Sequence, residues 1–290
     1  VTLVSDVVAR VRRRLLATQR EEMNTLAAAY AAGGTSLSFT YDLRSIVRGA
    51  QVEVGRELFH VWDSDTSAKT ATVLGAQQGT VAASHASGDL AVVNPKVPAD
   101  SIVLAVNDVL RRLSAAGLFR ARTVTFTANA TRRGYDLAAD VTRTLEVVYA
   151  ESGPGKAYPE VRKYRIRPVM PSADFPSGKQ IVFDEPLEAG RTVTVKYAAP
   201  FTPVVNLADD VETASFLPAT AVVLLELGAA IDLWAGREVK RNLTEAQGNT
   251  RRAEEVPPGA VQASTAGLRQ QYRDRLNEEL ARQALEWGAG

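Results

Sequence analysis

The run at residues 216–236, FLPATAVVLLELGAAIDLWAG, constrains this chain more than any other stretch. Leu217, Val222, Val223, Leu224, Leu225, Leu227, Ile231, Leu233 and Trp234 cover nearly every face of a helix. A helix apolar all round must be enclosed by protein or by lipid. Glu226 and Asp232 inside the run, and Pro218 at its start, argue against a bilayer, which takes about 20 predominantly apolar residues. The run therefore predicts the central helix of a bundle, with Pro218 in a first turn where its missing N–H does no harm.

Other helices are expected to pack on it. Val4, Val7, Val8, Val11 and Leu15 recur at helical spacing, with Arg10, Arg12, Arg13 and Arg14 on the remaining faces and an expected end close to Asn24. Those arginines suit either a phosphate or, as charge runs on helices usually do, a solvated or subunit-facing side. Ile102, Val106, Val109, Leu110 and Leu113 form a second amphipathic pattern, opened by Asp100 or Ser101 and stopped by Gly117. After a charged stretch at 237–255, broken at Gly248, the Pro257-Pro258-Gly259 break leads to a last helix. On it Leu268, Tyr272, Leu276 and Leu280 fall at strict i+4 spacing, with Arg269, Arg273, Arg275, Glu278 and Glu279 beside them. Such a narrow stripe wants a partner surface, either its own bundle or a neighbouring chain. Leu268, Tyr272, Arg273, Leu276 and Leu280 are the candidate interface residues.

Between the helices the period changes to that of strands. Leu37, Phe39, Val52, Val54, Leu58, Phe59, Val61, Trp62, Val73, Leu90, Val92 and Val93 lie in short runs punctuated by Gly49, Gly55, Gly75, Gly79 and Gly88. A second β region over 122–198 contains Val124, Phe126, Val147, Ile181 and the alternating 192–197, with a turn at Gly153-Pro154-Gly155. The expected fold class is α+β: a helical bundle with two inserted antiparallel β units and a C-terminal helical tail. The bundle core comes from 1–34, 95–121 and 199–256, a small β-barrel from 35–94 and a β-sandwich from 122–198. Residues 257–290 supply the linker and tail.

Little in the chain invites catalysis. With 34 Lys+Arg against 33 Asp+Glu, the net charge of +1 gives no bulk reason for a nucleic-acid or membrane partner. Zero cysteines exclude disulfides, thiolate metal sites and a cysteine nucleophile. His60 and His85 are the only histidines, and no Gly-x-Ser-x-Gly elbow is present. His85, in a small-residue turn, is expected to stabilise that turn. His60, Asp63 and Asp65 are the best metal-like cluster, but without the later glycine and bidentate glutamate of a calcium loop they read as a hairpin turn. Gly153-Pro154-Gly155-Lys156 lacks the rest of a phosphate loop. No catalytic residue, metal or cofactor is expected. Residues 1–20 read as an amphipathic helix, not a signal peptide, which points to assembly in a cytoplasm. A binding-module alternative would use Trp62, Tyr41 and Phe59 as an aromatic glycan site.

One ordered set of residues carries a resemblance. It comprises Thr35-Ser-Leu-Ser-Phe-Thr40, Gly49-Ala-Gln-Val-Glu-Val-Gly-Arg-Glu-Leu-Phe-His-Val-Trp62, Thr70-Ala-Thr-Val-Leu-Gly-Ala-Gln-Gln-Gly-Thr80 and His85-Ala-Ser-Gly88. It resembles a small β-domain of tailed-bacteriophage virion proteins, departing from it at Leu74, where an arginine is usual. With the order helix, β unit, helix, β unit, helix, helix, the chain is similar to head–tail connector adaptors of siphophages of actinobacterial hosts. The resemblance implies a ring of twelve copies in the virion neck, non-enzymatic, binding the portal above and a stopper or tail-terminator protein below. Double-stranded DNA would pass through its lumen without sequence recognition. Other neck or tail structural proteins fit the same motif.

Overall fold

The computed structural model describes residues 1–16, 21–150, 158–245 and 260–287. The Gly153–Lys156 turn, the Gly248 break and the Pro257-Pro258-Gly259 break lie outside the described residues. The chain divides into two compact units, one of residues 1–110 and 203–277, the other of 111–202 and 278–290.

In the first unit six strands form one antiparallel sheet: β1 (Glu22–Thr25), β2 (Ser36–Ser38), β3 (Gln51–Val54), β4 (Glu57–Asp65), β5 (Thr70–Leu74) and β6 (Leu90–Val93), in the order β1-β6-β3-β4-β5-β2. The sheet curls until its edges meet. Leu26 bridges Phe39, Ala27 N–H donates to Ser38 C=O, and Thr40 N–H donates to Thr25 C=O. Closure satisfies the edge groups that an open sheet would leave to solvent. Inside lie Leu26, Tyr30, Leu37, Phe39, Val52, Val54, Phe59, Val61 and Val73.

Strand β1 corrects the expectation that the first helix runs to Asn24. Helix α1 is Val4–Leu16, and by Glu22 the chain has entered the sheet opposite β6. Asn24 adds a side-chain tie to that pairing. Its side chain is buried, accepts the Tyr41 N–H at 3.1 Å and donates to Tyr41 C=O at 3.3 Å.

The bundle expectation is overturned. The fold is mixed and rich in sheet, with twelve strands and five helices among the described residues: α1, α2 (Ala99–Ala115), α3 (Val211–Ser215), α4 (Val222–Glu245) and α5 (Ala260–Trp287). Two apolar clusters among the described residues are built mainly from strands and their loops. From Val222 on the apolar run becomes α4; Pro218 stands ahead of a short 3-10 turn at Ala219–Ala221 and not in the first turn of the helix. The helix is buried at Leu224, Leu225, Leu227, Ala229 and Ala230, yet its cover is piecemeal. Arg10 and Arg14 of α1 hold Glu226 at 2.9 and 3.1 Å. Gly228 lets Val109 and Tyr272 approach, since a Cβ there would lie 2.6 Å from Val109 Cγ2 and 3.2 Å from Tyr272 Cε2. Among the described residues no helix is long and apolar enough to cross a membrane.

The second unit holds β7 (Arg120–Thr127), β8 (Gly134–Asp136), β9 (Arg143–Tyr149), β10 (Tyr164–Arg167), β11 (Gln180–Phe183) and β12 (Thr192–Ala199). They make two three-stranded antiparallel sheets, β10-β11-β8 and β7-β12-β9, around a shared core of Tyr135, Val147, Ile181, Phe183, Val193, Val195 and Tyr197. Phe126 stacks on Tyr135 with ring centroids 4.3 Å apart.

Asp140 ties β7 to this core. It accepts from Arg122 at 2.7 Å, Arg120 at 3.1 Å and the Tyr197 hydroxyl at 3.1 Å. Burial alone would raise its pKa. Hydrogen bonds from Arg122 and Tyr197 and the two guanidinium charges outweigh that and hold it below its ordinary 3.8. A depressed carboxylate stabilises above the unfolded value and loses that contribution as pH falls through the folded one. Asp140→Asn is therefore expected to flatten the acid limb of stability below about pH 4, measured by urea denaturation across pH.

Candidate functional site

Two sites in the first unit concentrate polar chemistry. The first begins at the tight turn through Gly55, whose φ of 62° suits glycine, and which delivers Glu57 to the start of β4. The Glu57 side chain is fully buried. Its carboxylate accepts the Ala76 N–H at 3.1 Å and the Ala83 N–H at 2.9 Å, and meets His85 Nε2 at 3.0 Å. His85 is itself buried and stacks on Tyr30, centroids 5.9 Å apart, with Phe59 edge-on. Tyr30 and His85 exchange backbone hydrogen bonds at 2.8 and 2.9 Å. Burial, and secondarily the Glu57 charge, raises the Tyr30 phenol above its ordinary range.

Two more positions complete this clamp. Thr80 Oγ1 accepts the Leu58 N–H at 3.1 Å and donates to Gln77 C=O at 2.8 Å. A Cβ on Gly75 would be driven into Glu57 Oε1 and come within 3.2 Å of Phe59 Cε1, so only glycine fits there. Glu57, Gly75, Thr80 and His85 thus pin the 75–89 segment onto the sheet. The expected turn-stabilising role of His85 is realised, but through a buried carboxylate that sequence reasoning missed. The signal was present: Glu57 opens an apolar strand, where a charge needs internal donors.

The second site is a groove of about 910 Å³ beside α1, walled by Val8, Leu16, Met23, Leu90 and Val92. Met23 and Leu90 leave half or more of their surface exposed along it. At its floor Glu53, only 3% exposed, accepts from Arg12 and from the Ala99 N–H at 2.5 Å, the first residue of α2. Arg12 also donates to Val97 C=O at 3.1 Å and lies 3.8 Å from Glu21. Burial raises the Glu53 pKa above its ordinary 4.5, opposed by the Arg12 charge and hydrogen bond and by the Ala99 N–H, and reinforced by Glu21. The floor charges are taken up internally, so the groove offers its walls: it can bury apolar groups by shape.

The remaining candidates scatter. Asp65 forms a hairpin turn, accepting from Ser67 and Ala68 N–H at 2.8 and 3.0 Å. His60 packs edge-on against Trp62, where a register shift leaves Trp62 half-exposed. Phe59 is in the core, not beside Tyr41 and Trp62 on a surface. Among the described residues no three His, Asp or Glu side chains gather as for a metal ion. On α5, Leu268, Tyr272, Leu276 and Leu280 are half-buried and Arg273 is exposed. Tyr272 lies against Gly228 in the first unit; in the second, Leu280 lies near Gly117 and Gln283 donates to Phe119 C=O at 2.7 Å. Part of the stripe is therefore covered by the chain itself. No protein-family model matches the chain, and no curated protein matches it.

Proposed function

We propose that this chain is a structural protein of a tailed-bacteriophage particle, acting in the neck as the adaptor between portal and tail. The observation that supports the reading is the clamp. Residues that carry the virion-protein resemblance, Glu57, Gly75, Thr80 and His85, lie far apart in sequence yet serve one buried hydrogen-bonded purpose. That the motif's parts interlock supports reading them as one folding unit. The polar groups of both sites are engaged in holding backbone and neighbouring charges. That suits a protein whose work is shape and attachment more than bond-making.

Under this reading multiple copies join the portal and a stopper or tail-terminator protein, and DNA passes without being read. The test is native mass spectrometry of the purified chain mixed with the portal protein of the same particle. The expected result is a portal complex carrying a fixed ring number of 31.2 kDa chains. A portal that stays bare overturns the adaptor reading. Recovery of the chain from intact particles at another position would favour a different neck or tail slot.

A further inference from the structure

The first unit closes its sheet edges, but in the second, among the described residues, one long edge is left open. In the sheet β7-β12-β9, the outer side of β9 is covered by residues 159–161. Glu160 bridges Val148, Val161 N–H donates to Val147 C=O at 2.7 Å, and Tyr149 N–H donates to Pro159 C=O at 3.3 Å. Among the described residues strand β7 has no such cover. It pairs only with β12, through eight consecutive positions without a bulge.

The ladder fixes which groups are free. Ala128 N–H donates to Arg191 C=O next to β7, while Ala150 and Thr142 N–H donate to Thr192 and Ala198 C=O on the β9 side. Antiparallel ladders alternate, so even-numbered residues of β7 bond to β12 and the backbone groups of Ala121, Thr123, Thr125 and Thr127 point away from it. Among the described residues no hydrogen bond engages those outward groups. The side chains of all four are exposed.

Edge strands are usually blunted by charge, proline or bulges. Here the charges at the start of the strand are neutralised, because Arg120 and Arg122 are paired with Asp140, although Arg122 keeps about half of its side chain exposed. What remains is Thr123-Val124-Thr125-Phe126-Thr127, whose alternation of threonine and apolar residue is symmetric about Thr125. Paired antiparallel with a copy of itself about that centre, it sets Thr125 opposite Thr125, Thr123 opposite Thr127 and Val124 opposite Phe126. Side chains keep their faces in this register. Val124 and Phe126, which pack on the core of this unit, would extend an apolar face, and threonines would meet threonines. Arg122 falls opposite Ala128, so no like charges face one another. The outward groups would exchange about six interchain hydrogen bonds.

We propose that β7 joins a second copy of this chain through this register, merging two three-stranded sheets into one. The inference rests on the second unit alone and does not depend on the virion reading. A two-fold contact consumes both edges and closes as a dimer, so it is read in the free chain before any larger assembly.

The chain has no cysteine, so single cysteines report the register cleanly. Cα atoms of a hydrogen-bonded pair lie about 5.5 Å apart, within disulfide reach. Under oxidation Thr125→Cys is expected to give a covalent dimer. Thr123→Cys alone should not, but an equal mixture of Thr123→Cys and Thr127→Cys chains should. Sedimentation of the unmodified chain should show a dimer of the 31.2 kDa protein that Thr125→Pro converts to monomer. That proline deletes an outward N–H and spares the β12 ladder. A monomer at every concentration, open polymers in place of a dimer, or cross-linking of Thr123→Cys as readily as Thr125→Cys would overturn the proposal. The cysteine series decides the matter even if Thr125→Pro misfolds.

Discussion

Replacing Glu57 by glutamine is expected to lower the unfolding free energy by about 3 kcal/mol, the upper end of what an unpaired buried donor and a lost charged hydrogen bond cost. The carboxylate receives the Ala76 N–H, the Ala83 N–H and His85 Nε2, all donors in this arrangement. It has two oxygens to receive them. Glutamine has one oxygen, and its amide nitrogen is a donor that would face donors. The side chain is fully buried, so no water compensates. Gly75→Ala should fail for a complementary reason, because its methyl needs the space Glu57 Oε1 occupies. Urea denaturation gives the loss. Limited proteolysis gives its location: both variants should be cut first within 76–88, because that segment is what the carboxylate holds. A change under about 0.5 kcal/mol, the size of an ordinary surface substitution, would show that the clamp does not carry the loop.

How much of this was legible beforehand follows from the range of each signal. Helix α1 was readable because five apolar residues repeat locally with the helical period. Its end was not, because the strand at Glu22–Thr25 exists through pairing with β6, some seventy positions downstream. The strands β3 to β6 were visible in β-favouring runs cut by glycines. That the sheet curls shut was not, since closure rests on Leu26 meeting Phe39. The apolar run at 216–236 predicts a buried helix, which holds for its middle, from Val222 to Ala230, and a hub, which does not hold, because periodicity tells which face is buried but not what buries it. Glu53 shows the same limit at a single residue. Between Val52 and Val54 it looks like the solvent side of an alternating strand, yet it is buried with them. A helix laid across that face is invisible to a strand's own pattern. The arginines of α1 likewise read as solvated, and three of them hold buried or nearly buried carboxylates.

The Glu53 carboxylate makes the other large prediction. Arg12→Met is expected to destabilise the protein by about 3–5 kcal/mol at neutral pH, because it strands the Glu53 charge in the protein interior. The methionine keeps most of the arginine stem's packing, so the loss reports the charge and its hydrogen bond. A second variant separates the pair's net worth from the cost of breaking it. Arg12→Met combined with Glu53→Leu should recover most of the loss, since an apolar pair of similar volume is often no worse than a buried ion pair. Recovery will fall short by the cap that Glu53 gives the Ala99 N–H at the start of α2.

The pH dependence supplies an independent check on Arg12. Burial already raises the Glu53 pKa, with Arg12 the largest opposing influence. Removing Arg12 must raise it further. A carboxyl whose folded pKa exceeds its unfolded value favours folding while protonated, and that contribution is lost as pH rises through the folded value. The penalty of Arg12→Met should therefore be small near the ordinary value of 4.5, where Glu53 can stay neutral, and grow as pH rises towards 7. Urea midpoints of both chains across that range measure it. A penalty that is flat with pH would mean the arginine acts through packing alone, and that Glu53 finds its compensation elsewhere in the groove floor.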